Sequence, residues 1–338
     1  MDVKALITAP FSESGLKTLR DAGVTVVHQS WLETGKLYLG DSLTKPIKEA
    51  GADVVVVEGD EVKEEVIAST SLKLIGSARN DPNNISIPAA TAKRIPVISA
   101  PGRNTNAVAE HTIGLILSVA RKIVSCERFL KGDFFVNSFG DFARMYKTLA
   151  GFELYGRSVG IIGLGSIGFE VAKRLQAFGL RLLVYDPYVD NTRVRQVGAE
   201  VVKLDELLKR SDIVTIHCPP TPETKGMIGA KQFAQMKKTA IFINTARAMV
   251  ADEAALLDAL KSATIAGAGL DVFSMEPVDS DNVFLGLDNV VVTPHMGGNT
   301  IETMERQSAM IAADIVAFVR GKRPLHVLNP EVFERRGK

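Results

Sequence analysis

The stretch 158–186, SVGIIGLGSIGFEVAKRLQAFGLRLLVYD, constrains the fold of this 338-residue chain more than any other. An apolar run at 159–162 ends at Gly163 and is followed by Ile167, Val171, Ala172, Leu175 and Phe178 at helical spacing, then by a second apolar run at 182–185. That order is strand, glycine turn, helix, strand. The glycines fall as G-x-G-x-x-G at Gly163, Gly165 and Gly168. Gly163 permits the tight turn, Gly165 lets a pyrophosphate approach the backbone, and Gly168 lets helix and strand pack closely. The helix N-terminus then offers free N–H groups and its positive dipole end to phosphates. Asp186 closes the second strand, where a carboxylate can accept hydrogen bonds from ribose hydroxyls, and Pro187-Tyr188-Val189 brings no Arg for a 2′-phosphate. The pattern predicts NAD rather than NADP.

A chain of this length exceeds one typical core and suits two domains. Its 40 basic and 39 acidic residues leave a formal charge of +1, which offers no electrostatic footprint for nucleic acid or an anionic membrane, so a small-molecule substrate is expected. The apolar stretches fall short of the roughly 18 residues of a spanning helix, and the opening MDVKALITAP lacks the order of a signal peptide. Cys126 and Cys218 show no paired spacing, so neither a disulfide scaffold nor a metal site is expected, and a reducing cytoplasm fits.

Residues 1 to about 100 alternate buried-strand runs (3–7, 24–28, 54–57, 72–75, 97–99) with helical patterns near 14–22, 61–69 and 89–94. This predicts a small parallel sheet without a dinucleotide fingerprint, a candidate substrate domain. A helix apolar nearly all round follows at 104–122, to be buried on several sides and by a second subunit. Residues 123–157 have weaker periodicity and suggest an arm or subunit contact. Beyond the fingerprint, strands at 199–202, 213–217, 240–244, 265–270 and 290–293, with helices at 231–236 and 252–262, predict a doubly wound sheet. The last helix, 300–319, is expected to return to the first domain. The fold class is therefore α/β, with two doubly wound parallel-sheet domains: a flavodoxin-like substrate domain of residues 1–100 and 299–338, and a Rossmann domain of 101–298 inserted in it. Crossings near 101 and 298 are expected to hinge a cleft.

Ligands of open α/β sheets bind at the carboxyl ends of strands. Arg247 in INTARA, Glu276 in LDVFSMEP and His295 in VVTPH sit just beyond three such ends. Hydride transfer between nicotinamide and a carbinol carbon needs a proton moved on or off the oxygen, and His suits that task near neutrality. A carboxylate on the other ring nitrogen would fix the tautomer and favour the charged ring, a role for Glu276. A planar guanidinium can bind the carboxylate of a 2-oxo acid bidentately while polarising its carbonyl, a role for Arg247. Each also has a plain reading as a cap or surface charge. His28, His111, His217 and His326 are read that way, with His217 near the cofactor.

These motifs, together with PGRNTNAVAEHTIGLILSVAR, SDIVTIHCPPTPET and VVTPHMGG in this order, resemble the D-isomer-specific 2-hydroxyacid dehydrogenases over nearly the whole chain. The resemblance implies a cleft-closing enzyme, a homodimer joined through its cofactor domains, and a catalytic triad at Arg247, Glu276 and His295. It also implies cofactor contacts at Ser166, Ile167, Asp186, Pro187, His217, Cys218, Pro219, Thr224, Thr245, Ala246, Asp271 and Gly297, with Asp271 accepting the nicotinamide amide. Glu276 argues against the similar formate dehydrogenases, which carry Gln there. The family's substrate loop is glycine-rich and holds the substrate carboxylate by backbone N–H groups, whereas this chain has 77–85 as SARNDPNNI. Asn and Asp tolerate positive φ, so the loop is expected to keep its shape, with Arg79, Asn80 and Asp81 as candidate substrate residues and Arg79 either meeting a second anionic group or remaining solvated. Phosphoglycerate dehydrogenases, also similar, typically carry a phosphate-binding Arg after the strand at 54–57; here Glu58-Gly59-Asp60 is expected to repel phosphate unless Arg79 or Arg103 substitutes. With the sequence ending at Lys338, the regulatory domain that many of those enzymes append is not expected. The expected activity is NAD-dependent interconversion of a 2-oxo acid and its D-2-hydroxy acid, with D-3-phosphoglycerate oxidation as an alternative and an NAD(H)-sensing, corepressor-like binding protein as the alternative of another class. Glyoxylate, hydroxypyruvate, phenylpyruvate and a sugar acid all remain open as substrates.

Overall fold

The computed structural model describes residues 3–132 and 135–334; Asp133 and Phe134 of the predicted arm, and 1–2 and 335–338 at the ends of the predicted first domain, lie outside the described residues. The chain divides into two compact units, Met1–Arg103 with Asn299–Lys338, and Asn104–Gly298.

The first unit runs β1 (Val3–Ile7), α1 (Glu13–Asp21), β2 (Val24–His28), α2 (Trp31–Thr34), α3 (Thr44–Ala50), β3 (Val54–Val57), α4 (Glu64–Ser69), β4 (Leu74–Ser77), α5 (Ile87–Ala92) and β5 (Val97–Ile98). The second contributes α6 (Thr105–Ala120), α7 (Ile123–Lys131), α8 (Phe139–Thr148), β6 (Ser158–Ile162), α9 (Ser166–Ala177), β7 (Arg181–Tyr185), α10 (Asn191–Val197), β8 (Glu200–Val201), α11 (Leu204–Arg210), β9 (Ile213–Ile216), α12 (Ala230–Phe233), β10 (Ile241–Asn244), α13 (Glu253–Lys261), β11 (Gly267–Leu270) and β12 (Val290–Val292). The chain then returns to the first unit as α14 (Ile301–Val319).

The first sheet is parallel, in the order β2-β1-β3-β4-β5. Its central strands read as unbroken apolar runs because both faces are covered. Along β3 alternate residues enter opposite cores: Val54 and Val56 pack with Leu16, Leu19, Ile311 and Ile315 of α1 and α14, and Val55 and Val57 with Ile47, Val66 and Ile67 of α3 and α4. At Gly15 a Cβ would stand 2.8 Å from Ser308 Cβ, so this position must be glycine for α1 and α14 to approach. The strand expected at 72–75 lies two residues later, at Leu74–Ser77. Helices α2 and α3 leave no periodic signal in the sequence, because α2 buries no residue and α3 only Ile47.

The second sheet is also parallel, in the order β12-β11-β10-β9-β6-β7-β8. Strand order reverses on either side of β6, which pairs with both β7 and β9. The expected helix near 104–122 is α6, with buried Ile113, Leu115 and Ile116 packed into the core beside β6 and α9. The weakly periodic 123–157 contains two amphipathic helices, α7 and α8, neither of which buries a residue. Phe139, Phe142 and Tyr146 line one face of α8 with ring centroids 6.0 and 5.5 Å apart. Among the described residues, no helix is long and apolar enough to cross a membrane.

Candidate active site

The reversal of strand order between β6 and β9 leaves a crevice at their carboxyl ends, where such sheets bind ligands. Gly163 turns there at φ +91°, and a Cβ on it would lie 2.9 Å from Cys218 N and from the His217 carbonyl carbon. A Cβ on Gly168 would stand 2.1 Å from Gly163 O, a backbone atom that cannot step aside. Gly165 caps α9 and meets nothing within 4 Å, so that side is open. Beyond it the first-turn N–H groups of Ser166, Ile167 and Gly168 have no partner within the helix. Asp186 Oδ2 accepts from Leu164 N at 2.8 Å and Oδ1 from Tyr188 N at 2.8 Å, which leaves each oxygen a lone pair for a ribose hydroxyl. Open backbone at Gly165, helix N–H groups and a half-buried carboxylate at the next strand end together fit a dinucleotide.

Around this crevice the other expected contacts fall at strand ends. His217 and Cys218 follow β9. Burial pushes the His217 pKa down to about 3, so the ring is neutral, with Nε2 2.9 Å from Thr215 Oγ1. Burial, with the charge of Asp186 added, pushes the Cys218 thiol up to about 11. Pro187 and Pro219 are exposed, and Thr224 donates to Pro219 O at 2.6 Å, closing the loop after β9. After β10, Thr245 Oγ1 lies 2.8 Å from Thr112 Oγ1 of α6.

The triad residues follow the adjacent strands β10, β11 and β12. The amide of Asn244 folds the turn that carries Arg247, accepting from Ala246 N at 3.0 Å and donating to Arg247 O at 3.0 Å. Arg247 is exposed and its guanidinium donates to Ala246 O at 2.7 Å, leaving most of its five N–H donors for a ligand. Glu276 Oε1 accepts from Phe273 N at 3.0 Å, which orients the carboxylate, and Oε2 meets His295 Nδ1 at 2.7 Å. With Nδ1 on the carboxylate, Nε2 is the ring nitrogen left for another partner. His295 holds φ +56°, a left-handed conformation that costs a residue with a Cβ about 1–2 kcal/mol.

Asp271 sits at the end of β11, 1% exposed. Oδ1 accepts from Thr293 Oγ1 at 2.6 Å and Met296 N at 2.7 Å, and Oδ2 from Gly297 N at 2.8 Å. Burial would raise its pKa, but the bonds from His111, Thr293, Met296 and Gly297 outweigh it and hold the group below the usual carboxylate value. The plain reading of His111 as a cap or surface residue is therefore corrected: it is half-buried on α6, with Nε2 2.9 Å from Thr293 Oγ1 and 3.2 Å from Asp271 Oδ1. His326 is corrected likewise, since its Nδ1 meets the buried Asp314 at 2.8 Å. Nothing local in the sequence marked His111, because its partners lie about 160 and 182 positions away. Arg193, seven positions beyond Asp186, also reaches the glycine turn, donating to Leu164 O at 3.3 Å while its guanidinium covers the Phe169 ring.

In the first unit the substrate-loop expectations need revision. None of Asn80, Asp81, Asn83 or Asn84 has positive φ, so Asn and Asp are not standing in for left-handed glycine there. Asn80 and Asp81 are exposed, and Arg79 N donates to Ser77 Oγ at 3.0 Å. The expected repulsion of phosphate by Glu58 and Asp60 is also corrected. Asp60 is fully buried, holding Thr8 Oγ1 at 2.5 Å and Tyr38 N at 2.8 Å, and Glu58 pairs with Arg103 at 2.9 Å. Arg103 thus neutralises Glu58.

A family model described as "D-isomer specific 2-hydroxyacid dehydrogenase, NAD binding domain" matches residues 113–297, and the cofactor of this unit is accordingly NAD. A D-3-phosphoglycerate dehydrogenase of Archaeoglobus fulgidus is 41% identical over 328 residues, covering 97% of this chain and 59% of that protein. A glyoxylate reductase of Pyrococcus furiosus is 36% identical over 342 residues, covering 99% of this chain and 98% of that one. Among solved structures, the apo form of D-lactate dehydrogenase from Escherichia coli superposes with a TM-score of 0.79 at 26% identity, over 96% of this chain and 99% of that one. The chain spans 59% of the length of the archaeal phosphoglycerate dehydrogenases it matches.

Proposed function

Because the chain belongs to the D-isomer specific 2-hydroxyacid dehydrogenase family, we propose that it interconverts a 2-oxo acid and its D-2-hydroxy acid with NAD. The observation that carries this reading is the 2.7 Å contact between His295 Nδ1 and Glu276, on a strand end of the fingerprint-bearing sheet, which leaves Nε2 as the ring nitrogen for substrate. The glycine turn at Gly163, Gly165 and Gly168 and the Asp186 carboxylate would hold the cofactor, which would supply or take the hydride. His295 gives a proton from Nε2 to the carbonyl oxygen during reduction and takes it back during oxidation. Glu276 keeps Nδ1 protonated throughout, so that the neutral ring exposes an acceptor and the charged ring a donor at the same atom. Arg247 holds the substrate carboxylate and polarises the adjacent carbonyl. Within the first unit, Arg79, Asn80 and Asp81 are the residues we propose for substrate binding.

The test is His295→Asn, chosen because Asn accepts positive φ better than most residues and so keeps the backbone. It should lower kcat by roughly 10²–10⁴ while leaving NADH affinity unchanged. Turnover near that of the parent would overturn the assignment. A phosphorylated substrate such as D-3-phosphoglycerate is a second reading, favoured by the neutralised Glu58 and by relatives of that name at 41% identity. A panel of 2-oxo acids and phosphoglycerate, followed by NADH absorbance, decides between them. Turnover of any of these also excludes a corepressor-like protein that only senses NAD(H).

The exposed aromatic face of α8, with Phe139 84% and Tyr146 70% accessible, suits a second copy of the chain and supports a homodimer through the second unit. Both cysteines are free, as suits a reducing cytoplasm.

A further inference from the structure

His295 occupies a left-handed backbone conformation, and bonds from residues on both sides of it converge on one group. On its upstream side Thr293 Oγ1 reaches Asp271 Oδ1, and on its downstream side the N–H groups of Met296 and Gly297 reach Oδ1 and Oδ2. The loop therefore straddles a single buried carboxylate. Gly297 has to be glycine for this, since a Cβ there would lie 2.9 Å from Asp271 Oδ2. An ionised carboxylate only accepts, so the Thr293 hydroxyl proton is committed to Asp271 and the hydroxyl oxygen must accept from His111 Nε2. That assigns the His111 tautomer: the proton is on Nε2.

We propose that Asp271, backed by His111 through Thr293, is the positioning group for His295, holding the 293–297 turn so that Nδ1 meets Glu276 and Nε2 faces the substrate. The catalytic consequence rests on the function proposed above; the hydrogen-bonded arrangement stands apart from it. Neither Asp271 nor His111 moves the transferred proton. They act on its donor by fixing the backbone that the strained residue interrupts.

The experiment uses the full chain without NAD. Amide exchange followed by NMR should show the N–H groups of Met296 and Gly297 protected in the parent and exchanging roughly 10–100-fold faster in Asp271→Asn, the factor expected on losing a hydrogen bond to a charged acceptor. Thr293→Val should accelerate the same two amides, and Thr293→Ser, which restores the hydroxyl, should return them towards the parent. In ¹⁵N-labelled histidine spectra His111 should carry its proton on Nε2, and His295 should lose its Nδ1–H signature in Asp271→Asn. With NADH and a 2-oxo acid, Thr293→Val should lower kcat with little change in KM, Thr293→Ser should recover it, and His111→Gln should retain more activity than His111→Leu because an amide can still donate to Thr293. If Asp271→Asn does not fold, the Thr293 and His111 pairs decide the same question. Unchanged exchange at Met296 and Gly297, a proton on His111 Nδ1, or faster exchange without loss of kcat would each overturn the proposal. A parent inactive towards every 2-oxo acid would remove the proposed function, while the exchange and tautomer results would still decide how the turn is held.

Discussion

Glu276→Gln keeps the length and shape of the side chain and removes its charge. In the parent, Oε1 accepts from Phe273 N and Oε2 accepts from His295 Nδ1. A glutamine can keep the first bond with its oxygen, which turns its NH2 group towards Nδ1. The contact then survives only if Nδ1 accepts, so the neutral ring must carry its proton on Nε2, the wrong tautomer for taking a proton from a hydroxy acid. In the reducing direction the imidazolium loses its anionic partner. A hydrogen bond between charged groups contributes about 1.5–3 kcal/mol net. Here the side chains are 44% and 33% exposed, so solvent screening reduces this to about 1–2 kcal/mol. At about 1.4 kcal/mol per tenfold in rate, kcat should fall roughly 5–30-fold. The assay is steady-state kinetics in both directions beside His295→Asn, with ¹⁵N imidazole shifts reporting the tautomer. An activity within twofold of the parent, or a ring still protonated at Nδ1 when neutral, would refute the reasoning.

Three further outcomes follow from the same structure. Asp212→Ala removes bonds to Ser158 N, Ser158 Oγ and Lys237 Nζ at 2.8–2.9 Å, and should destabilise the second unit by about 2–4 kcal/mol in urea unfolding at neutral pH. Burial would raise the Asp212 pKa, but Lys237 and Ser158 outweigh it and the group ends lowered, so its stabilisation is complete above the unfolded value of about 3.9 and disappears as pH falls through the lower native value. A parent-to-variant gap that does not narrow as pH falls through that range would contradict this. The His217 ring, pushed to about 3 by burial, should show a C2–H resonance that does not titrate near neutrality; the stability linked to its neutral form is present above 6.5 and erodes as pH drops towards 3, and an observed midpoint near 6.5 would sink the claim. Asp186→Ala should weaken NAD and relax selectivity towards NADP, measured as the ratio of the two cofactor KM values; an unchanged ratio would assign the carboxylate to structure alone, through Leu164 and Tyr188.

Much of the architecture is legible because a parallel sheet covered on both faces writes its strands as short apolar runs. The runs at 54–57 and 213–216 stand out for that reason, and the glycine turn between β6 and α9 is legible because each glycine answers a steric demand within a few residues. Helices α2 and α3 are not, since they bury too little to impose a period. The loop at 77–85 misleads because its Asn and Asp residues suggest positive φ, whereas its backbone is settled by contacts such as Ala78 N to Val57 O and Ala100 N to Arg79 O. The acidic pair at 58–60 misleads in the same way: composition gives the charges but not that one is buried and the other met by Arg103.

Local demands are what the amino-acid order determined alone: which runs are strands, where the chain turns tightly, which cofactor the turn fits, and which three polar residues follow strand ends. What only the tertiary structure decided is how donors and acceptors distant along the chain are shared. His111 on α6, Thr293 after β12 and Asp271 after β11 form one hydrogen-bonded group only because α6 packs beside those strands. The physical reason is that hydrogen bonds act over about 3 Å in space, whatever the separation in sequence, so their partners appear only once the core has brought the elements together.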